Sequence, residues 1–525
     1  MCFVGNMRPT LEARGALAHV PRALSPSGPG DSVESMKLPY DDVHLIADPL
    51  YGYLRITLSR AGEIAEADVI DSPWVQRLKR IHQLQSSWWV FPTAEHSRFA
   101  HSLGVMHLAG LLAQTVYPTL RETEPAIPSL PLVEETMRLA GLLHDVGHGP
   151  FSHFCDAEYF QPVFGLDHER ISQHLIVNEM GELIAALRRS PSGSFAEGET
   201  VDPWHVAFLV RAEARDGAAD AAEEAAEEAA GAAERAADAA EAAADPIPRW
   251  VRLLHRALAG AVTVDNLDYV RRDAYMCGVS LGPIDAERLI YYTFCTADGL
   301  TFHKRALSAL RAFLNARFYM YENVYFHRVG HAIDIHLREI FRPTMALILP
   351  RSPLDDLGAY RRVTEWSLFT TVEEWLDEPL ASEKRELAEE WQSIIHRHVK
   401  YSMVYEQAVE LQRPAPATRE LTPAEFHAAV VRHLPERAKG LEFVVDIASQ
   451  DPRPLNPLSG PKRIPVYDPA TERLEEQLLT GILEFVPAKV HLYRVFTLGH
   501  EHDRNLAAAA KAALGEVAPA SLTNL

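Results

Sequence analysis

Leu142-Leu143-His144-Asp145-Val146-Gly147-His148-Gly149-Pro150-Phe151-Ser152-His153 is the stretch whose reading decides the fold. Apolar residues Met137, Leu139, Ala140, Leu142 and Leu143 run into a histidine–aspartate pair, and glycines with a proline then stop the run. The pattern predicts a buried helix whose C-terminal end presents an imidazole and a carboxylate together. Adjacent helical positions diverge by about 100°, so the two side chains do not face each other, yet both can reach one ion lying between them. Imidazole with carboxylate suits a divalent Mn, Fe, Co, Ni or Zn ion, or Mg if water fills its shell. For the dipeptide alone, a helix-end cap with a hydrogen bond is the plainer explanation.

The surroundings change that balance. Upstream lies Glu95-His96-Ser97-Arg98-Phe99-Ala100-His101-Ser102-Leu103-Gly104, where Arg98 and His101 share a helix face. Downstream come His148 and His153, then Asp167-His168-Glu169-Arg170. Asp265, Tyr269 and Asp273 step by four and line one face of another helix; Arg317, Tyr321 and Tyr325 repeat that step. A single histidine in such a segment is most simply a satisfied core residue. Together, with acids among them, the histidines are the candidates for a site.

Composition narrows the class. The 525 residues allow two to four folding units, and 47% hydrophobic with 23% charged residues is an ordinary globular mixture. The net charge of −21 argues against a general nucleic-acid-binding surface, so positive partners for an anionic substrate must be local. Cys2, Cys155, Cys277 and Cys295 show no CxxC spacing, which leaves a reducing cytoplasm as the expected setting. No apolar run is long enough for a transmembrane helix. Residues 1–36, rich in Gly, Pro, Ser and Ala, read as a flexible leader, and the Ala/Glu/Asp tract 212–245 as a solvated insertion without an apolar stripe. Helical patterns fill 37–345 and continue over Thr371–Arg397. Strand-like segments are few: Gly52–Leu58, Phe443–Ile447 and Val490–Phe496.

The run from Gln83-Leu84 through Trp89-Val-Phe-Pro92, then Arg98–Val105, then His144–His153, resembles the HD phosphohydrolase superfamily. Within it, the resemblance is to the deoxynucleoside triphosphate (dNTP) triphosphohydrolase branch, which includes the vertebrate SAM-and-HD hydrolases and bacterial relatives. It spans roughly residues 40–345, more weakly beyond. It implies an all-α HD-domain core with small β accessory elements in a C-terminal α+β lobe covering 346–525. It implies metal-dependent hydrolysis of a dNTP to deoxynucleoside and triphosphate. The implied metal ligands are His101, His144, Asp145 and Asp265. His168 would be the general acid, His148 would lie beside the α-phosphate, and His153 with Asp156 would support the acid. Arg98, Tyr269 and Arg317 would hold phosphates and sugar, Gln83 and Asp273 the 3′-hydroxyl, and Leu84 and Tyr325 would exclude a 2′-hydroxyl.

Some positions depart from the pattern. Asn266 stands where the vertebrate members carry a lysine on the phosphate tail, Tyr321 where they have a histidine and Phe326 where they have a glutamine. Asp71, Gln76 and Lys79 resemble residues that read a guanine effector (GTP or a dNTP), but His44 replaces a lysine used on the effector phosphates. The same segment reads equally as a plain capped helix with Pro73 at its first position. The resemblance further implies a homo-oligomer. Two other functions stay open: phosphohydrolysis of nucleoside mono- or diphosphates or another phosphoester, and nucleotide sensing without turnover.

Overall fold

The computed structural model describes residues 43–59, 62–211, 247–411, 421–450, 464–474 and 489–515. The leader 1–36 and the acidic tract 212–245 lie outside the described residues. The chain enters through an antiparallel hairpin of β1 (Val43–Asp48) and β2 (Gly52–Thr57), in register from Val43 opposite Thr57 to Asp48 opposite Gly52. Two long helices then form the centre: α1 (Arg98–Thr123) and α2 (Leu130–Leu143). Both are enclosed on nearly every side, and several of the polar groups this buries are paired. Arg138 binds Glu66, while Glu134 accepts from Gln114 and Ser190.

Four further helices carry candidate site residues. They are α3 (His168–His174), α4 (Val264–Cys277), α5 (Leu307–Met320) and α6 (Arg328–Ile348). A π-helical turn, Tyr321–Tyr325, joins α5 to the segment before α6. Between α4 and α5, β3 (Thr293–Thr296) and β4 (Gly299–His303) form an antiparallel pair. Next come α7 (Glu365–Glu374) and α8 (Glu383–Ile395), separated by the turn Trp375–Asp377; the helical pattern over Thr371–Arg397 is therefore broken once.

The apolar core continues beyond 345. Tyr360, Val363, Leu368, Trp391 and Ile394 belong to the same buried cluster as Val105, Leu139 and Leu143. The C-terminal lobe has a smaller core of its own, with Phe426, Val430, Tyr493, Leu506 and Leu514. There β5 (Ser402–Leu411), β6 (Phe443–Gln450) and β8 (Lys489–Thr497) form an antiparallel sheet with β8 in the middle. The helices α9 (Pro423–His433) and α10 (Asp503–Gly515) pack with it. One strand of this region, β7 (Val466–Asp468), instead pairs parallel with β4, at Phe302–Val466 and His303–Tyr467. The fold is thus mostly helical, with small sheets concentrated in the C-terminal lobe.

Candidate functional site

Helix α2 ends at His144, which is its C-cap. The Nδ1 of His144 lies 2.9 Å from the Gly141 carbonyl oxygen, an acceptor that fixes the ring with Nδ1 protonated and Nε2 bare. His101, in the first turn of α1, is fixed the same way: its Nδ1 donates to Asp268 Oδ2 at 2.8 Å. The two Nε2 atoms therefore face each other, 3.3 Å apart. Asp265, in the first turn of α4, adds Oδ1 at 3.1 Å from His101 Nε2 and 3.6 Å from His144 Nε2.

Three lone-pair donors this close repel one another unless a cation lies among them. Ligand distances of about 2.1 Å give neighbouring donors separations of about 3.0 Å in an octahedral shell and about 3.4 Å in a tetrahedral one. The observed triangle matches both, so the residues present fit a divalent ion. A proton is held by the same field: burial pushes His101 down, but hydrogen bonds to Asp265 and Asp268 outweigh it and raise the group to about 10. An ion must displace that proton to bind. Asp265 is held correspondingly below the usual carboxylate range, its histidine partners overcoming the effect of burial.

Asp145 stands at the rim of this triangle rather than within it. Its Oδ1 is 3.4 Å from His144 Nε2 and its Oδ2 is 3.8 Å from His101 Nε2, while Arg98 Nη1 takes Oδ2 in a close ion pair. The sequence reading treated the four ligands alike; here three form the tight group and the fourth is shared with an arginine. Burial opposes ionisation of Asp145, and Arg98 foremost reverses that, holding its carboxyl well below the usual range.

The support behind His101 is what sequence reasoning missed. Asp268, fully buried on α4, accepts from His101, from Arg272 Nε and Nη2 at 2.8 and 2.9 Å, and from the Tyr51 hydroxyl at 2.7 Å. Arg272 also reaches Asp48 Oδ2 at 2.9 Å, which ties β1 to the site. Gly104 makes room for this network: a Cβ there would fall 2.0 Å from Asp268 Oδ1. The available signal was the four-residue spacing of Asp268 and Arg272.

Next to the triangle lies a second cluster: His148, His153, Asp156 and His168. His168 Nδ1 meets Asp156 Oδ2 at 2.6 Å, and the His148 ring stacks on His168 at 3.7 Å between centroids with 12° between planes. Stacked imidazoles point their lone pairs in parallel. An ion about 2.1 Å from both would sit roughly 60° off each lone-pair axis, so the cluster suits proton handling better than metal binding. Burial lowers both rings, but Asp156 reverses this for His168 and raises it. His148, facing Arg98 and His168, is pushed well below the ordinary imidazole range. The two rings are thereby shifted in opposite directions, His168 toward holding a proton and His148 toward losing one. His153 is largely exposed at the rim, 3.8 Å from Asp156 Oδ2.

The loop carrying these groups is strained and held from behind. Phe151 and Ser152 both have positive φ, 61° and 57°, and Ser152 Oγ accepts from Arg98 Nε at 2.6 Å. The fully buried Glu365, on α7, accepts from the Phe151 amide at 2.9 Å and pairs with His82. Tyr360 Oη donates to the Gly147 carbonyl and Arg77 Nη1 to the His148 carbonyl, each at 2.5 Å. A Cβ on Gly147 would collide with the His168 carbonyl at 2.3 Å, so only glycine lets α3 approach.

A cavity of about 470 Å³ opens on both clusters. Asp265, Tyr269 and Asp273 all line it, as the four-residue step along α4 requires. So do Gln83, Leu84, Arg98, His153, His168 and Tyr325. Tyr325 Oη donates to Asp273 Oδ2 and His96 Nε2 binds Asp273 Oδ1, both at 2.8 Å. Gln83 Oε1 is buried without a hydrogen-bond partner among the described residues. Arg317 does not itself line the cavity; its guanidinium lies over the ring of Tyr321, which does, 5.9 Å from the ring centre. Asn266 does not line it either. It is buried in a capping box in which its Oδ1 accepts from the Thr263 amide at 2.8 Å and its amide donates to Thr263 Oγ1 at 3.0 Å.

Asp71, Gln76 and Lys79 form an exposed chain of contacts. Lys79 Nζ donates to Gln76 Oε1 at 2.6 Å, and Gln76 Nε2 lies 2.8 Å from the Ile70 carbonyl and 3.4 Å from Asp71 Oδ1. Ser72 caps the short helix Pro73–Arg77.

Residues 98–257 match the HD domain family. The chain is 28% identical over 352 residues to the deoxynucleoside triphosphate triphosphohydrolase SAMHD1 of Gallus gallus, covering 62% of this chain and 51% of that protein. It is 29% identical over 273 residues to the uncharacterized protein YwfO of Bacillus subtilis, covering 52% and 50%. The chain spans about half the length of these curated relatives. A solved hypothetical protein from Aquifex aeolicus shares the fold, with TM-score 0.59 and 24% identity over 90% of this chain and all of that one. A phosphohydrolase structure from Bacteroides thetaiotaomicron does so too, with TM-score 0.57 and 19% identity over 87% and 100%. The chain is thus similar to HD-domain proteins over residues 98–257 and, more distantly, to a deoxynucleoside triphosphate triphosphohydrolase. Among the described residues no helix is long and apolar enough to cross a membrane.

Proposed function

We propose that this protein hydrolyses dNTPs to deoxynucleoside and triphosphate with the help of a divalent metal ion. The observation carrying this reading is that one cavity gathers the His101–His144–Asp265 triangle, Arg98, the His168–Asp156 pair and the Gln83–Asp273–Tyr325 pocket. A divalent ion held there by His101, His144 and Asp265, with Asp145 beside them, would polarise the α-phosphate and make a bound water more acidic. Arg98 has Nε on Ser152 and one terminal nitrogen on Asp145, which leaves Nη2 for a phosphate oxygen. His168, kept protonated by Asp156, donates its proton to the 5′-oxygen as the bond from that oxygen to phosphorus breaks. His148, neutral and stacked on His168, excludes water from the far side of the acid. Asp273 and Gln83 take the 3′-hydroxyl, and the Tyr325 ring closes the space a 2′-hydroxyl needs. The resemblance to SAMHD1 supports the same substrate class.

One observation favours a second reading, a substrate with fewer phosphates. Arg98 is the only Lys or Arg lining the cavity among the described residues, and Asn266 serves as a cap rather than facing a phosphate tail. Product analysis separates the two. Purified protein incubated with a dNTP panel and Mg or Mn, with and without GTP, is expected to release deoxynucleoside and triphosphate. Inorganic phosphate as the sole product would favour the second reading. Absence of any turnover would leave a nucleotide-sensing protein.

A further inference from the structure

The cavity extends past the pocket assigned to the sugar. Along one wall, Gln85, Ser86 and Ser87 follow Gln83 and Leu84; along the other, Gly330 and Asp334 lie four residues apart on one face of α6. The two walls approach closely there, since a Cβ at Gly330 would be 3.9 Å from both serine hydroxyl oxygens. Asp334 Oδ1 is sealed from solvent and has no hydrogen-bond partner among the described residues. Its polar surroundings are the side chains of Ser86 and Gln85 with the charges of His331 and Arg338, none of them part of the metal triangle or the histidine cluster. His331 is committed to Asp446 at 2.8 Å. Burial pushes the Asp334 carboxyl up, more than His331, Ser86, Gln85 and Arg338 lower it.

We propose that Asp334 reads the nucleobase of the substrate and favours guanine. This rests on the dNTP reading of the same cavity. Guanine presents two adjacent N–H donors, N1–H and the 2-amino group, beside the acceptor O6. A carboxylate can accept both donors, while the Gln85 amide or a Ser86 or Ser87 hydroxyl can donate to O6. Adenine and cytosine set an unprotonated ring nitrogen next to their amino group, and thymine flanks its single N–H with two carbonyls. A carboxylate is repelled by those acceptors, so each of the other bases loses where guanine gains.

The test is competition in one vessel, with the four dNTPs mixed at equal concentration with Mn, so that any activation by nucleotide is common to all. Consumption of each is followed by chromatography. The wild type is expected to consume dGTP about tenfold faster than dATP, and Asp334→Asn to bring that ratio within about threefold of unity. A second measurement needs no variant: dITP, which lacks the 2-amino group, is expected to fall about fivefold or more below dGTP. A wild type without guanine preference, or a preference unchanged in Asp334→Asn, overturns the proposal. If Asp334→Asn does not fold, the dITP ratio decides. If no dNTP is turned over, the hydrolase reading fails by itself; equilibrium dialysis of dGTP and dATP against wild type and Asp334→Asn then decides base selection, and equal affinities overturn it.

Discussion

Replacing Asp268 by Asn tests whether the support behind His101 sets the affinity for metal. The substitution keeps the volume of the side chain and removes its charge. In the wild type this carboxylate serves His101 Nδ1, two nitrogens of Arg272 and the Tyr51 hydroxyl, all within 2.9 Å. Its removal leaves Arg272 buried with Asp48 as its remaining carboxylate partner. Breaking a buried pair costs about 3–5 kcal/mol, and the retained Asp48 contact places the expected loss of stability near the lower end of that range, about 3 kcal/mol. For the metal, an outer partner of a ligating histidine is typically worth about 10–100-fold in affinity, and a similar loss is expected here. Burial alone would raise Asp268, but Arg272 foremost holds it down at about 2. Because the folded-state value lies below the unfolded one, its stabilisation is complete above about pH 4 and fades as pH falls toward 2. The variant should therefore be weaker across the whole neutral range. The assays are Mn titration by calorimetry and denaturant unfolding of the metal-free protein, run on both proteins. An Mn affinity within twofold of wild type, alongside the expected destabilisation, would refute the link from Asp268 through His101 to the ion.

Further outcomes are expected. His168→Ala should lower kcat by roughly 10²–10⁴-fold with unchanged metal content, and near-wild-type turnover would remove His168 from the role of acid. Asp156 raises His168, so activity that needs the protonated ring persists through the lower pH range and is lost as pH rises through the raised value; Asp156→Asn should move that loss to lower pH, which a kcat–pH profile reads. With Tyr325 bound to Asp273, dATP should be preferred over ATP by ~10²-fold or more, and Tyr325→Ala should erode the preference; equal turnover of ATP and dATP by the wild type would sink the sugar-selection argument. If Asp71, Gln76 and Lys79 hold a nucleotide at a subunit contact, GTP with dATP should shift sizing chromatography to a larger species. An unchanged elution volume, with full activity lacking any activator, would count against that site.

What the sequence disclosed depended on locality. The helix ending in His144–Asp145 is legible because an apolar run, a polar pair and a glycine–proline stop follow one another directly. The cavity face of α4 is legible because Asp265, Tyr269 and Asp273 repeat every four residues on one helix. Asp268 escaped notice because it lies off that face and works through another helix. Asn266 was read as a lost phosphate contact, whereas its side chain closes the N-terminus of α4; periodicity alone does not separate a cap from a ligand in a first turn. Glu365, Tyr360 and Arg77 gave no signal, being single residues separated from their loop by as much as 214 positions. The parallel pairing of β4 with β7 was equally hidden, since hydrophobic alternation marks a strand but does not name its partner.

Arg77 belongs to the same short helix as Gln76, yet only Arg77 is fully buried. Gln76 lies among exposed groups, while Arg77 runs inward to the carbonyls of His148 and Val363 with its guanidinium 4.5 Å from the Tyr360 ring. One planar group thus joins this short surface helix to the backbone of the histidine loop. Any coupling along this route is reciprocal: a ligand that settles the loop would also steady the outer face of Pro73–Arg77.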